Sequence, residues 1–323
     1  MIASVGYLAT RAVTAALTLA GISVVIFAVI ALAPGDPFTD LAASGAVSPE
    51  ILQDLRARAG LDEPVLVQYL RWASALMQGH WGYSQSAKVE VQTLIWQRLP
   101  TTLFVMGTSY LLALLIAVPI GVISAVRQYS WLDHLITLLT FLGNALPTFF
   151  IGMLFILVLG YQLRLLPTIY ASTADPSQSG LRGQVLAGAI MPIAVLALAE
   201  ATQIARYVRA SMLEVIRLDY VTTARAKGLS EWLVLRRHAL RTALVPVVTI
   251  LALQIPHVFT GAIVTEQIFR IPGIGSLLIA SMLAKDTPVV MAIVFGYAIL
   301  AVLSNLVADV LYGILDPRIR AGS

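Results

Sequence analysis

The stretch Leu103–Ala125, LFVMGTSYLLALLIAVPIGVISA, holds no charged residue and lies between Arg98 and Arg127. A helix that crosses a hydrocarbon layer about 30 Å thick needs about 20 such residues in a row. Working outward from it, gaps between charges mark five more candidates. Arg11 to Asp36 encloses Ala12–Ala33, and His134 to Arg164 encloses Leu135–Leu163. Arg182 to Arg206 is interrupted only by Glu200, and the last two run from Arg241 to Glu266 and from Asp286 to Asp309. The whole chain is 59% hydrophobic and 12% charged over 323 residues, with a mean hydropathy of +0.86, which excludes a water-soluble globule. The expected fold is an all-α integral membrane protein with six transmembrane helices.

An even number of spans puts both termini on one side, and short-loop Lys and Arg choose the side. The segment between spans four and five holds Arg206, Arg209, Arg217, Arg225, Lys227, Arg236, Arg237 and Arg241. Arg11, Arg127, Arg318 and Arg320 add to the same side, whereas the opposite short loops hold Arg164, Arg182, Arg270 and Lys285. Both termini are therefore expected in the cytoplasm. Ala31-Leu32-Ala33 resembles a cleavage site, but an apolar core longer than a signal sequence favours a retained helix. The absence of cysteine excludes disulfides and thiolate chemistry.

The chain divides on this reading into helix one (1–33), an external helical segment (34–99), a core of spans two to six (100–312) and a cytoplasmic tail (313–323). In the external segment, Ser48-Pro49-Glu50 starts a helix that Gly60 stops. A second helix is expected from Pro64 to Gln78, with Leu66, Leu70, Ala73 and Met77 on one stripe. That segment serves either as a docking surface or as a lid. Gly107, Pro119, Gly121, Gly143, Pro147, Pro192, Pro246 and Pro256 mark close helix approaches or kinks within the spans.

No phosphate-binding loop, nucleophile elbow or zinc-protease motif occurs, and His80, His134, His238 and His257 have no ligand spacing. The chain is expected to be non-catalytic and to hold no metal or cofactor of its own. Polar groups within spans face a bundle interior or an aqueous path, since a central charge costs about 2.5–3.5 kcal/mol to insert. Asn144, Gln203, Gln254 and His257 are candidates for a translocation path, and interhelical hydrogen bonding is the alternative for each. Glu266 and Arg270 fall at the external end of span five as outer-gate or interface candidates.

The most charged stretch is TARAKGLSEWLVLRRHAL, Thr223–Leu240. Met212–Lys227 reads as a helix, Gly228 as its C-terminal cap, and Ser230 as the N-cap of a second helix reaching Arg241. Trp232, Leu235 and Ala239 share one face of that second helix. A nucleic-acid reader would need a body to orient it in a groove, which a short hairpin tethered between two spans lacks. An interfacial lipid helix is an alternative, but a Trp beside Arg has the composition of a protein–protein anchor.

At these residues the sequence resembles the cytoplasmic EAA loop of permease subunits in bacterial ABC importers, E-A-A-x3-G-x9-I-x-L-P. The pattern falls on Thr222-Thr223-Ala224, Gly228 and His238-Ala239-Leu240-Arg241, with Thr for Glu, His for Ile and Arg for Pro. The wording ARAKG and RHAL is closer to the dipeptide/oligopeptide/nickel branch. That branch is also resembled by Gly60–Ser84, with His80-Trp81 where Asp-Leu is usual. Further similar segments are Arg98–Leu103, Trp131–Asp133, Leu146–Val158, Leu163–Pro167, Gly261–Val290 and Asp316–Arg320.

The resemblance implies a type I importer permease that pairs with a second, homologous permease. It also implies two cytoplasmic ATPase domains that bind ATP and Mg, an extracytoplasmic solute-binding protein, and location in a bacterial inner membrane. It implies that the 212–241 loop couples to the ATPase. Ala224, Ala226, Lys227 and Gly228 are expected at the turn and Trp232, Leu235 and Arg236 on the docked face, with Thr222, Thr223 and His238 also in the coupling loop. Di- or oligopeptides are the expected cargo, with nickel or another small solute as the alternative in the same branch. An ion-coupled secondary transporter is disfavoured by the single acid within spans and the lack of an internal repeat.

Overall fold

The computed structural model describes residues 5–32, 48–58, 60–170 and 179–315, and all their regular structure is helical. In chain order the helices are α1 (Val5–Ala31), α2 (Pro49–Arg58), α3 (Val65–Met77), α4 (Val91–Val126), α5 (Trp131–Ala145) and α6 (Thr148–Phe155). A π-helical run, Ile156–Gln162, extends α6. Then come α7 (Ser179–Val215), α8 (Asp219–Ala226), α9 (Glu231–Leu233), a π-helical turn Val234–Ala239, and α10 (Leu240–Ile268). Helices α11 (Ile274–Leu283) and α12 (Thr287–Leu315) complete the order. Residues 33–47, most of them at the start of the expected external segment, and the tail beyond Leu315 lie outside the described residues.

Five stretches are long and apolar enough to cross a membrane: Thr10–Ala31, Val91–Val126, Gly183–Val215, Glu231–Pro256 and Thr287–Leu311. The expected third span is broken. Helices α5 and α6 meet at 100° around Leu146-Pro147, so there are six spans if the bent pair counts as one. Proline disfavours helical backbone in the residue before it, and Leu146 is extended at ψ 129°. Pro100, Pro119, Pro192, Pro246 and Pro256 behave differently and sit inside continuous helices. The limit at residue 99/100 likewise falls within the continuous α4.

The chain forms two compact units, one built on Pro100–Ser276 with the chain ends, the other on Thr10–Leu99 and Leu277–Val302. In the first, α4 presents Ala113, Ala117, Gly121 and Ala125 at four-residue intervals. Helix α7 answers with Ala197, Ala201 and Ala205, and the alanines of both rows are buried. Small residues let backbones approach where lipid offers no hydrophobic drive for association. At Gly121 the approach is so close that a Cβ would stand 2.7 Å from the Ala205 carbonyl oxygen. Two polar cross-links add to this packing. Tyr110 Oη donates to the Leu251 carbonyl at 2.8 Å, and Ser211 Oγ to that of Ala243 at 2.7 Å.

In the second unit, α2 begins after Ser48 and is followed by Gly60 at φ +70°, as its start and stop residues predict. Helix α3 keeps close to its expected limits, and packing decides which of its faces is covered. Leu66, Leu70 and Met77 are exposed, and the packed face carries Tyr69 and Trp72 instead. Two segments far apart in sequence meet in this unit. Ser84 Oγ and Ser86 Oγ each donate to Asp286 Oδ2 at 2.6 Å, joined by the Ser86 amide at 3.0 Å. Burial raises the affinity of the Asp286 carboxyl for a proton, but the Ser84 and Ser86 hydrogen bonds outweigh it and hold the pKa below its ordinary value.

Candidate coupling surface

The basic stretch folds locally as two helices about a glycine, with boundaries that differ from the sequence reading. Helix α7 stops at Val215, and α8 starts afresh at Asp219 after Leu218 adopts ψ 147°. Asp219 in the first turn favours this second N-terminus electrostatically. Helix α8 ends at Ala226 with Lys227 as its C-cap, and Gly228 comes next at φ +78°, a conformation that residues with a Cβ avoid. Ser230 occupies the N-cap position without a side-chain capping bond. The turn is closed instead by Arg225, whose Nε and Nη2 bond the two carboxylate oxygens of Glu231 at 3.1 and 2.8 Å.

The second helix of the hairpin is not separate from the membrane core. Glu231–Ile268 runs on through the π-helical turn into α10, so Trp232 stands on the first turn of span five. This continuity reassigns the expected docked face. Ala239 is fully buried, and Leu235 is half-buried against the core of the first unit. Ala224 is also buried, and His238 is half-buried, its carbonyl accepting from Tyr220 Oη at 3.2 Å. Exposed are Thr222, Thr223, Ala226, Lys227, Gly228, Trp232 and Arg236. The Arg236 guanidinium lies over the Trp232 ring, 4.9 Å from its centroid, a cation–π pair one helical turn apart.

The inner side of this surface is continuous with the membrane core. Val221, Ala224, Val234 and Ala239 are buried in one cluster with Val208, Met212 and Val215 of α7, Ala243 and Val247 of α10, and Ala113 of α4. The α8 turn is thus joined to three spans by close-packed apolar contacts, which deform little.

A second set of residues anchors the base of α7, and sequence reasoning missed it. Buried Asp133 accepts from Arg209 Nε and Nη2, both at 3.0 Å, from Ser124 Oγ at 2.5 Å and from the Tyr129 amide at 2.9 Å. The Ser130 hydroxyl caps α5 by accepting from the Asp133 amide. This ties the α4–α5 turn to α7 one helical turn before the coupling segment. The Ser-x-x-Asp spacing was a legible helix start, but nothing local pointed to Arg209 as its partner.

The path candidates are partly brought together. Gln254 Nε2 donates to Gln203 Oε1 at 3.4 Å across α10 and α7. Asn144 is exposed on the last turn of α5, and the His257 side chain lies outside the described residues. A 220 Å³ cavity nearby is lined by Thr137, Thr140, Thr202 and Arg206 rather than by these candidates.

Glu266 is no surface residue. It is buried beneath the Ile271–Gly275 turn, accepting from Thr102 Oγ1 at 2.7 Å and from the Ser276 amide at 2.9 Å. Thr102 Oγ1 also accepts from the Ile274 amide at 2.8 Å. A Cβ on Gly273 would overlap the Glu266 carboxylate, and one on Gly275 would stand 2.6 Å from the Ile263 Cα. Arg270 is exposed at φ +53°.

Residues 117–321 match the family model of the binding-protein-dependent transport system inner membrane component, and residues 4–106 match its N-terminal companion. The chain belongs to this family of ABC transporter permeases. The permease is 41% identical to the oligopeptide transport system permease protein AppB of Bacillus subtilis over 97% of its own length and 99% of the relative's. It is 35% identical to the dipeptide transport system permease protein DppB of Escherichia coli, covering 94% and 95% of the two chains. The family and the apolar helices make it a multi-pass inner-membrane protein.

Proposed function

We propose that this permease forms half of the translocation path of an ATP-driven importer of di- or oligopeptides. A second, homologous permease supplies the other half, and a solute-binding protein delivers peptide from outside. Similarity to AppB and DppB along nearly the whole chain supports the peptide cargo. The permease itself performs no chemistry and holds no cofactor; ATP and Mg are bound by two partner ATPases. The Lys and Arg distribution puts both termini and α8 on the cytoplasmic side, where those ATPases lie.

One observation carries the coupling part of this reading. The α8 turn exposes Thr222, Thr223, Lys227, Trp232 and Arg236 while its opposite side is rooted in three spans. ATPase closure presses this surface, and the close-packed cluster transmits the displacement to α4, α7 and α10 as a rigid-body change of access. Uptake into proteoliposomes holding the full transporter and its binding protein tests the proposal. ATP-dependent accumulation of labelled di- or oligopeptides is expected. Accumulation of nickel with no peptide uptake would overturn the cargo assignment.

A further inference from the structure

Helix α3 belongs to the segment between spans one and two, and neither its composition nor its length makes it a span. Its surroundings set its depth. Tyr69 Oη and Ser23 Oγ are 2.9 Å apart, and with Ser23 donating to the Ala20 carbonyl the tyrosine is the donor. Phe27 packs edge-on against Tyr69, with centroids 5.6 Å apart, and 5.8 Å from Trp72. On its other side Trp72 meets Phe295 of α12 at 6.0 Å.

These partners lie inside two membrane-spanning helices. Phe27 precedes the Ala31 end of the first span by four residues, and Phe295 lies eight residues after the Thr287 start of the last span. At about 1.5 Å per residue, the contacts lie roughly 6 and 12 Å within those ends. The end of the first span and the start of the last fall on the same membrane face, so the two depths are independent readings of one position. An amphipathic helix in the interface buries its apolar side by about 5–10 Å.

The three faces of α3 fit that depth. Tyr69 and Trp72 face the protein. Leu66, Leu70 and Met77, spaced by four and seven residues, form a stripe that is 57–84% exposed. Arg71 lies about 100° around the helix from Leu70, and its Nη2 bonds Glu63 Oε1 at 2.6 Å on an exposed side. Val24, Val25 and Val29 of α1 are exposed as well.

We infer that α3 is an interfacial helix lying in the leaflet where the first span ends. Leu66, Leu70 and Met77 contact lipid acyl chains, and Arg71 is held at the aqueous boundary. The stripe is therefore not a docking surface for the binding protein. The inference stands on this helix alone and does not depend on the cargo.

The cysteine-free sequence suits a direct test by single-site spin labelling. Leu66→Cys, Leu70→Cys, Met77→Cys and Arg71→Cys, with Val25→Cys as the lipid reference, are labelled in the assembled transporter in liposomes. Reactive cysteines of the partner subunits are replaced beforehand. Accessibility to oxygen is compared with that to a water-soluble nickel chelate, with and without binding protein. The expected result is an oxygen-to-nickel ratio at Leu66, Leu70 and Met77 several-fold above that at Arg71 and close to that at Val25, unchanged by binding protein. Chelate access at the stripe equal to that at Arg71 would overturn the inference. So would shielding from both reagents, or protection that appears only with binding protein.

Discussion

Two glycines in the same unit obey opposite constraints. Gly228, at the proposed coupling surface, has φ +78° and open space all around an added Cβ. Gly275, beside the Glu266 clasp, lacks that left-handed conformation but lies against the Ile263 backbone. One glycine is required by backbone conformation, the other by volume. A coupling turn needs a fixed shape and a free outer surface. The clasp holds two helix ends so closely that no side chain fits.

The substitution with the largest expected effect is Gly275→Ala. A Cβ 2.6 Å from a backbone carbon can be relieved only by moving α10 or α11. Overpacking of this kind costs about 3 kcal/mol at its upper end. A marked fall in the unfolding temperature of the detergent-solubilised permease is expected, and a wild-type transition would mean the two helices can separate at little cost.

Gly228→Val comes next and should act differently. Strain at positive φ costs about 1–3 kcal/mol without any clash. The protein should insert and assemble, yet lose peptide uptake as the turn changes shape, while Gly228→Asn, which tolerates this conformation, keeps most of it. Equal losses in both variants would show that the side chain, rather than φ, matters.

The Asp286 clasp of the second unit gives a smaller, pH-dependent effect. Its folded pKa lies below the ordinary carboxylate value of about 3.9, so its contribution is fully present above that value. It is lost as pH falls through the lower folded value. Protection of the Ser86 amide, measured by hydrogen exchange and corrected for the intrinsic rate, should decrease on acidification through that window. Asp286→Asn should remove the pH dependence.

The smallest stability effect belongs to Trp232→Ala. The ring is 64% exposed, and surface substitutions usually change stability by less than about 0.5 kcal/mol. Thermal unfolding should hardly move, while recovery of the ATPase with the affinity-purified permease should fall. Unchanged recovery would remove Trp232 from the coupling surface.

The spans were legible because each charge inside lipid is costly, so charge spacing reports membrane crossings directly. Gly228, the α2 start and the α3 limits were legible from local turn chemistry. Which face of a helix is covered was not legible. Leu235 and Ala239 look like an anchor beside Trp232, but the helix continues into span five and turns them inward. Leu66, Leu70 and Met77 form the stripe the spacing marks, but only packing shows that the aromatic side of α3 is covered and the stripe exposed. Glu266 looks like a gate charge at a span end until Thr102, far away in sequence, supplies a buried donor.

The sequence by itself determined the class, the helical segments and the family, since composition and local preference act over a few turns of chain. Tertiary structure alone decided which faces are covered and which carboxylates are paired. Asp133 with Arg209, Asp286 with Ser84 and Glu266 with Thr102 join residues that no local pattern links. Pairing and burial depend on where distant helices pack, and that information resides in contacts between segments rather than in any one of them.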